Sequence, residues 1–247
     1  MELSRFFVGF VAIVALLLGA GMVRFLPPRY RVRALGALIA WTLYAALLGL
    51  AGILSNAALR PPGIVYVFLP TIALIIFLTR SRAGAVIASS VPIWLLMGAQ
   101  CVRFVVEILL NRLWHAGLLP TMMTFHGGNL DMLIGVSAPI VAALSAARRL
   151  DLRVALAWNV LGIAMLGNIV VRGILTSPAI HAFKADAPSA IGTFPFTFIP
   201  ALIVPLALML HVLAIRAILG SLKAGTRDVA PVSVAELVDP RRRSTVR

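Results

Sequence analysis

Apolar runs of about twenty residues, each closed by a short polar or proline-containing cluster, occupy most of the chain from residue 6 to residue 219. A helix needs about 20 mostly apolar residues to cross a bilayer, so each run is a candidate span. They are Phe6–Phe25, Ala34–Leu54, Gly63–Leu78, Val91–Ala116, Leu130–Ala147, Leu152–Leu175 and Phe194–Leu219. Pro27-Pro28 ends the first, Ser55-Asn56 and Pro61-Pro62 close the second, and Ser90 followed by Pro92 reads as a helix start. Pro70 is expected to kink the third span, and Ala83–Ser90 either lies at the interface or lengthens the fourth. Pro195, Pro200 and Pro205 recur at five-residue spacing in the seventh. The pattern predicts an all-α polytopic membrane protein, a bundle of about seven transmembrane helices over residues 1–220. A polar, basic tail follows over 221–247, expected to be disordered and cytoplasmic. Met1–Arg5 and the run behind it are read as a retained first helix, since no small-x-small cleavage site precedes Arg24. No internal repeat is visible, which argues against an inverted-repeat transporter.

One run breaks the apolar pattern. Between Val91 and Ala116 the chain carries Gln100, Arg103, Glu107, Asn111 and His115. The last four are each four residues apart and share one helical stripe. Ionisable groups inside a span are costly, and are paired or functional. A polar segment follows directly, Met123-Thr-Phe-His-Gly-Gly-Asn-Leu-Asp131.

Composition supports the membrane class. The chain has 247 residues, 61% of them hydrophobic and only 12% charged, and its mean hydropathy is +1.03. A soluble domain is nearer a quarter charged. The net charge of +14 reflects membrane orientation. Nucleic-acid binding would need a basic soluble domain, and no stretch provides one. Sixteen of the 22 lysines and arginines fall on one side of the alternating spans, including Arg29, Arg31, Arg33, Arg80, Arg82, Arg148, Arg149 and Arg241-Arg242-Arg243. By the positive-inside rule that side is cytoplasmic, so the N-terminus is expected outside and the C-terminus inside. The expected location is a bacterial inner membrane, crossed several times.

This orientation gathers the remaining polar groups toward the outer face. Glu107, Asn111 and His115 climb outward from Arg103. His126, Asn129 and Asp131 follow on the outer connection, and Asn168 and Arg172 lie in the outer half of the sixth span. His181, Lys184 and Asp186 fall in the last outer loop, while His211 is placed toward the cytoplasmic end of the seventh span, away from this group. Gln100, Arg103, Glu107, Asn111, Asn129 and Asp131 are the candidate binding residues; His115, His126, Asn168 and Arg172 are secondary. Arg103 and Glu107 form either a structural i,i+4 ion pair or the centre of a site. Asn129 and Asp131 either cap the fifth span or join that site. No metal site is expected, because His115 and His126 match no metal-ligand spacing. No cofactor is expected either. The seventh span lacks the lysine a retinal Schiff base needs, and the lone Cys101 excludes an intramolecular disulfide. Ser137 and Ser145 are read as small packing residues and Asn159 as an interhelical contact.

Gln100-x-x-Arg103-x-x-x-Glu107, the segment Met123–Asp131 and Phe194-Pro-Phe-Thr-Phe-Ile-Pro200 together resemble an uncharacterised group of bacterial multi-span membrane proteins. That group carries a Met-Thr-Phe-Glu-Gly-Arg-Asn-Phe-Asp-like segment, and the likeness covers roughly the C-terminal two thirds. The chain departs from it at His126, Gly128 and Leu130. The resemblance implies where a site lies and leaves its chemistry open. Three functions are carried forward. The first is binding or conduction of a small polar molecule, ion or proton through a site open to the outer face. The second is an intramembrane enzyme with Glu107 or Asp131 as general base. The third is a structural or assembly subunit. The expected partners are the lipid bilayer and a small-molecule or ion ligand.

Overall fold

The computed structural model describes residues 2–177, 179–180 and 187–228. His181, Lys184, Asp186 and residues 229–247 of the tail lie outside the described residues. The described chain is entirely helical apart from turns. Its α-helices are α1 (Glu2–Phe25), α2 (Pro28–Leu50), α3 (Val65–Arg80), α4 (Arg82–Ser90), α5 (Ile93–Gly98), α6 (Val102–His115), α7 (Asp131–Ala146), α8 (Leu152–Leu175) and α9 (Val204–Asp228). A 3₁₀ turn at Ala99–Cys101 fuses α5 to α6, and a π turn at Ile199–Ile203 leads into α9.

Five helical stretches are long and apolar enough to cross a membrane: Glu2–Phe25, Pro28–Leu50, Ile93–His115, Leu152–Leu175 and Ile199–Ala224. A sixth candidate is the broken pair α3 and α4, bent by 80°. The expected fifth span is the shorter apolar helix Asp131–Ala146. The last helix runs on to Asp228, past the expected start of the tail at 221.

Local chemistry sets the breaks. Pro28 opens α2 at a position where the missing N–H costs nothing, behind an extended Pro27. Ser81 is extended and accepts a hydrogen bond from Gly84 N, 3.0 Å, which ends α3 and caps α4 in one residue. Arg216 of α9 donates to the carbonyls of Leu78 and Ser81 and fixes this elbow. Asp151 caps α8 through Arg153 N at 2.6 Å. The π turn has a proline cause. Pro205 has no N–H to give the carbonyl of Ala201 four residues earlier, and Trp41 Nε1 donates to that carbonyl instead, at 2.8 Å.

The connections gather at two ends. At the loop end, Ala190 N donates to Leu118 O at 2.9 Å, and the backbones of Gly192 and Gly63 sit against Leu54 and Ile53. The arginine end holds the α1–α2 turn, the α3–α4 elbow and the α7–α8 turn. Close backbone contacts seal the bundle between, as expected where small residues rather than hydrophobicity drive association. A Cβ on Gly135 of α7 would lie 2.4 Å from Phe104 N, and one on Gly162 of α8 would lie 2.3 Å from the His211 ring. The largest apolar cluster runs from Phe7 and Val11 of α1, through Leu109 and Leu113, to Phe196 and Leu202.

Candidate functional site

The polar side chains meet where α6, α7, α8 and α9 touch. Arg103 is 3% exposed and carries the one ion pair among the described residues. Its Nε donates to Asp131 Oδ2 at 2.8 Å and its Nη2 donates to Asp131 Oδ1. This side-by-side geometry is the strong form of a guanidinium–carboxylate contact. Nη2 also donates to Gly162 O at 3.2 Å, and Nη1 to His211 Nε2 at 2.8 Å. A guanidinium has donors only, so His211 Nε2 must accept. The proton therefore sits on Nδ1, which faces Asn159 Oδ1 at 2.9 Å, and Asn159 Nδ2 donates on to Ala155 O at 2.8 Å. One chain of bonds thus crosses from α7 through α6 and α9 to α8.

Glu107 takes a different direction from the one its spacing predicts. It does not pair with Arg103. Its Oε1 accepts from Phe125 N at 2.9 Å and its Oε2 from Asn129 Nδ2 at 2.6 Å. Asn129 Nδ2 also reaches Met123 O at 3.2 Å, and Asn129 Oδ1 accepts from Asp131 N at 3.1 Å. The i,i+4 pair of the stripe is replaced by an i,i+28 pair, because α7 brings Asp131 to the arginine while the 123–129 turn brings amides to the glutamate. Asn129 is fully buried between the two carboxylates.

The turn is shaped for this. Gly128 has φ +93, and a Cβ on Gly127 would lie 2.2 Å from Thr121 O. Arg172 grips its far side, donating from Nη1 to Gly127 O at 2.5 Å while Asn168 Oδ1 holds Nε at 2.5 Å. Asn168 and Arg172 therefore position the turn and make no contact with the buried carboxylates. Gln100 is buried one turn below Arg103, its Nε2 on Ala207 O at 3.0 Å and its Oε1 without a partner. Asn111 lies outside these bonds. His115 and His126 are exposed and stand on either side of Trp114, with ring centroids 4.6 and 5.0 Å away. Among the described residues, no three His, Cys, Asp or Glu side chains gather as a metal site.

Asn159 is the interhelical contact its sequence suggested, through its bond to His211; the parts of His211 and Gly162 beside Arg103 are what sequence reasoning missed. His211 was expected away from the group, yet it touches Arg103. The signal was depth: residue 211 is close to the middle of Ile199–Ala224, the level Arg103 occupies in Ile93–His115.

A cavity of about 30 Å³ adjoins the network. Arg103, Glu107, Asn129 and Asp131 form its polar wall, with apolar residues of α6, α8 and α9 opposite. Its size suits about one water or a bare ion, not an organic substrate.

All of these residues fall inside residues 62–219, which match a family described as a domain of unknown function, DUF8737. The match covers well over half of the chain. The protein belongs to the DUF8737 family. The DUF8737 region begins just before α3 and ends within α9, so α1 and α2 lie outside it. Comparison with curated proteins and with solved structures finds no match.

Proposed function

We propose that this DUF8737 protein is a seven-pass inner-membrane protein that takes up a proton at Glu107, from a site open to the outer face. The N-terminus is outside, the arginine end is cytoplasmic, and the loop end is external. The observation that carries the reading is a charge imbalance. Two buried carboxylates, Glu107 and Asp131, lie near a single guanidinium, and only Asp131 bonds it, side by side. Glu107 is left with two neutral donors beside a water-sized cavity. A buried carboxylate without a cation is strongly disfavoured unless it is protonated or exchanges its charge with an ion. The groups facing it are Arg103 on its own helix, Asp131 of α7 and Asn129 of the turn. α8 and α9 present only apolar side chains to the cavity, with His211 reaching it through Arg103. Proton binding fits the first of the functions carried forward, and the cavity volume disfavours an organic substrate for either transport or catalysis.

The test uses protein reconstituted in liposomes with an internal pH dye under an imposed pH gradient and potential. Proton flux above empty liposomes, lost in Glu107→Gln, is expected. Infrared difference spectra should show a carboxyl C=O band that the same variant removes. Wild-type protein with neither flux nor that band would leave the network a structural one.

A further inference from the structure

A second cavity shares part of its lining with the first, through side chains of α6, α8 and the π turn into α9. It measures about 360 Å³ and is open to the surface of the bundle between α3, α8 and the π turn. Its walls are apolar almost throughout: Val67 and Ile72 of α3, Ile163 and Val170 of α8, Ile199 and Leu208 beyond. Thr71 of α3 also lines it, with its hydroxyl spent on Val67 O of its own helix, and the other exceptions gather at one end. Ser55, Ser177 and Ser189 line the cleft where the loops meet, and the Oγ of Ser189 is buried without a hydrogen-bond partner.

The dimensions select an occupant. Along α8 the cleft runs from Ile163, the middle of the helix, to Ser177 at its end. Fourteen residues at the helical rise of 1.5 Å correspond to about 21 Å. On α3 the stretch from Ile64 to Ile75 corresponds to about 16 Å. One leaflet of hydrocarbon is about 15 Å deep, half of the bilayer core. The cleft therefore spans one leaflet or slightly more, is apolar along that length but for Thr71, and is hydroxylic at its loop end. Gly167 and Gly173 keep it open: a Cβ on Gly167 would meet nothing within 4 Å. Water does not fill an apolar space of this kind, and the bilayer supplies hydrocarbon at its mouth.

We infer that this cleft is a binding site for one bilayer phospholipid, with an acyl chain along α3 and α8 and its ester region against Ser55, Ser177 and Ser189. Leu110, Leu166, Ile169, Ile199 and Val204 line both this cleft and the Glu107 cavity. The lipid chain and the buried polar network are thus one layer of side chains apart. The site stands independently of proton uptake at Glu107.

Two experiments test it. In the first, wild-type protein is placed in phosphatidylethanolamine–phosphatidylglycerol liposomes with a trace of phosphatidylcholine carrying a diazirine in its acyl chain. After illumination, cross-links should concentrate in peptides holding residues 64–75 and 163–174. Cross-links as dense over the exposed faces of α1 and α2 overturn the proposal, because those faces meet only bulk lipid. In the second, native mass spectrometry counts phospholipid on delipidated protein. Wild type should keep one molecule that Gly167→Phe loses at least tenfold, while Gly21→Phe, on an open stretch of α1, keeps it. Equal retention by the Gly167 and Gly21 variants overturns the site. The cross-linking experiment decides alone if Gly167→Phe fails to fold.

Discussion

Arg103→Met should destabilise this protein more than the double change Arg103→Met with Asp131→Leu. The single change strips Asp131 of both its guanidinium bonds, removes the extra donor on Gly162 O and orphans His211 Nε2. Leaving one member of a buried pair uncompensated costs about 3–5 kcal/mol. The orphaned acceptor adds about 1–3 kcal/mol. The double change removes the stranded charge, so only the lost hydrogen bonds remain, again about 1–3 kcal/mol. The coupling between the two sites should therefore be at least about 3 kcal/mol, at or beyond the upper end of measured cycles. Equilibrium unfolding in mixed micelles, followed by tryptophan fluorescence, measures all four proteins of the cycle. A parallel cycle of Arg103→Met with Glu107→Gln should give a coupling below about 1 kcal/mol, because the two side chains share no direct bond. Additivity in the Asp131 cycle, or a larger coupling in the Glu107 cycle, would refute the pairing and restore the i,i+4 stripe.

Three further outcomes are expected. Trp41→Phe should cost about 1–3 kcal/mol, the price of orphaning the Ala201 carbonyl, read as a lower unfolding midpoint. Gly162→Ala drives a methyl into the His211 ring, so it should cost about 1–3 kcal/mol by overpacking, and Gly21→Ala, in open space, should cost almost nothing by the same unfolding measurement. In a Cys101→Ser background, a cysteine at position 56 or 126 should react with an impermeant maleimide from outside intact cells, and one at position 148 only after lysis; the reverse pattern overturns the orientation.

The helices were legible because apolar runs and prolines are local signals. Ala83–Ser90, expected at the interface or as part of the fourth span, instead forms α4 and pairs with α3 across an 80° bend. Arg103, Glu107 and the 123–131 segment, prominent in the sequence, meet in one buried polar network, the candidate site. Its wiring was not legible. Spacing along one helix says which side chains can reach each other, yet Arg103 and Glu107 each found a partner from another element. His211 and Asn159 were unremarkable in isolation, single polar residues in apolar runs, and gained a role only when α8 and α9 met at Gly162. Long-range pairings of this kind depend on helix rotation, which a single sequence does not encode in any short window.

The π turn at Ile199–Ile203 bears on how this family can change. A π turn is an α-helix carrying one surplus residue, and each residue turns a helix by about 100°. Losing a single codon within that turn would swing everything beyond it by about that angle relative to everything before. His211 and Ala207 would leave Arg103 and Gln100 together, with no substitution at any of the four. Relatives that lack the surplus residue should accordingly have lost the histidine's partnership as a unit, so an alignment gap at residues 199–203 would be a better marker of a divergent site than the identity of residue 211.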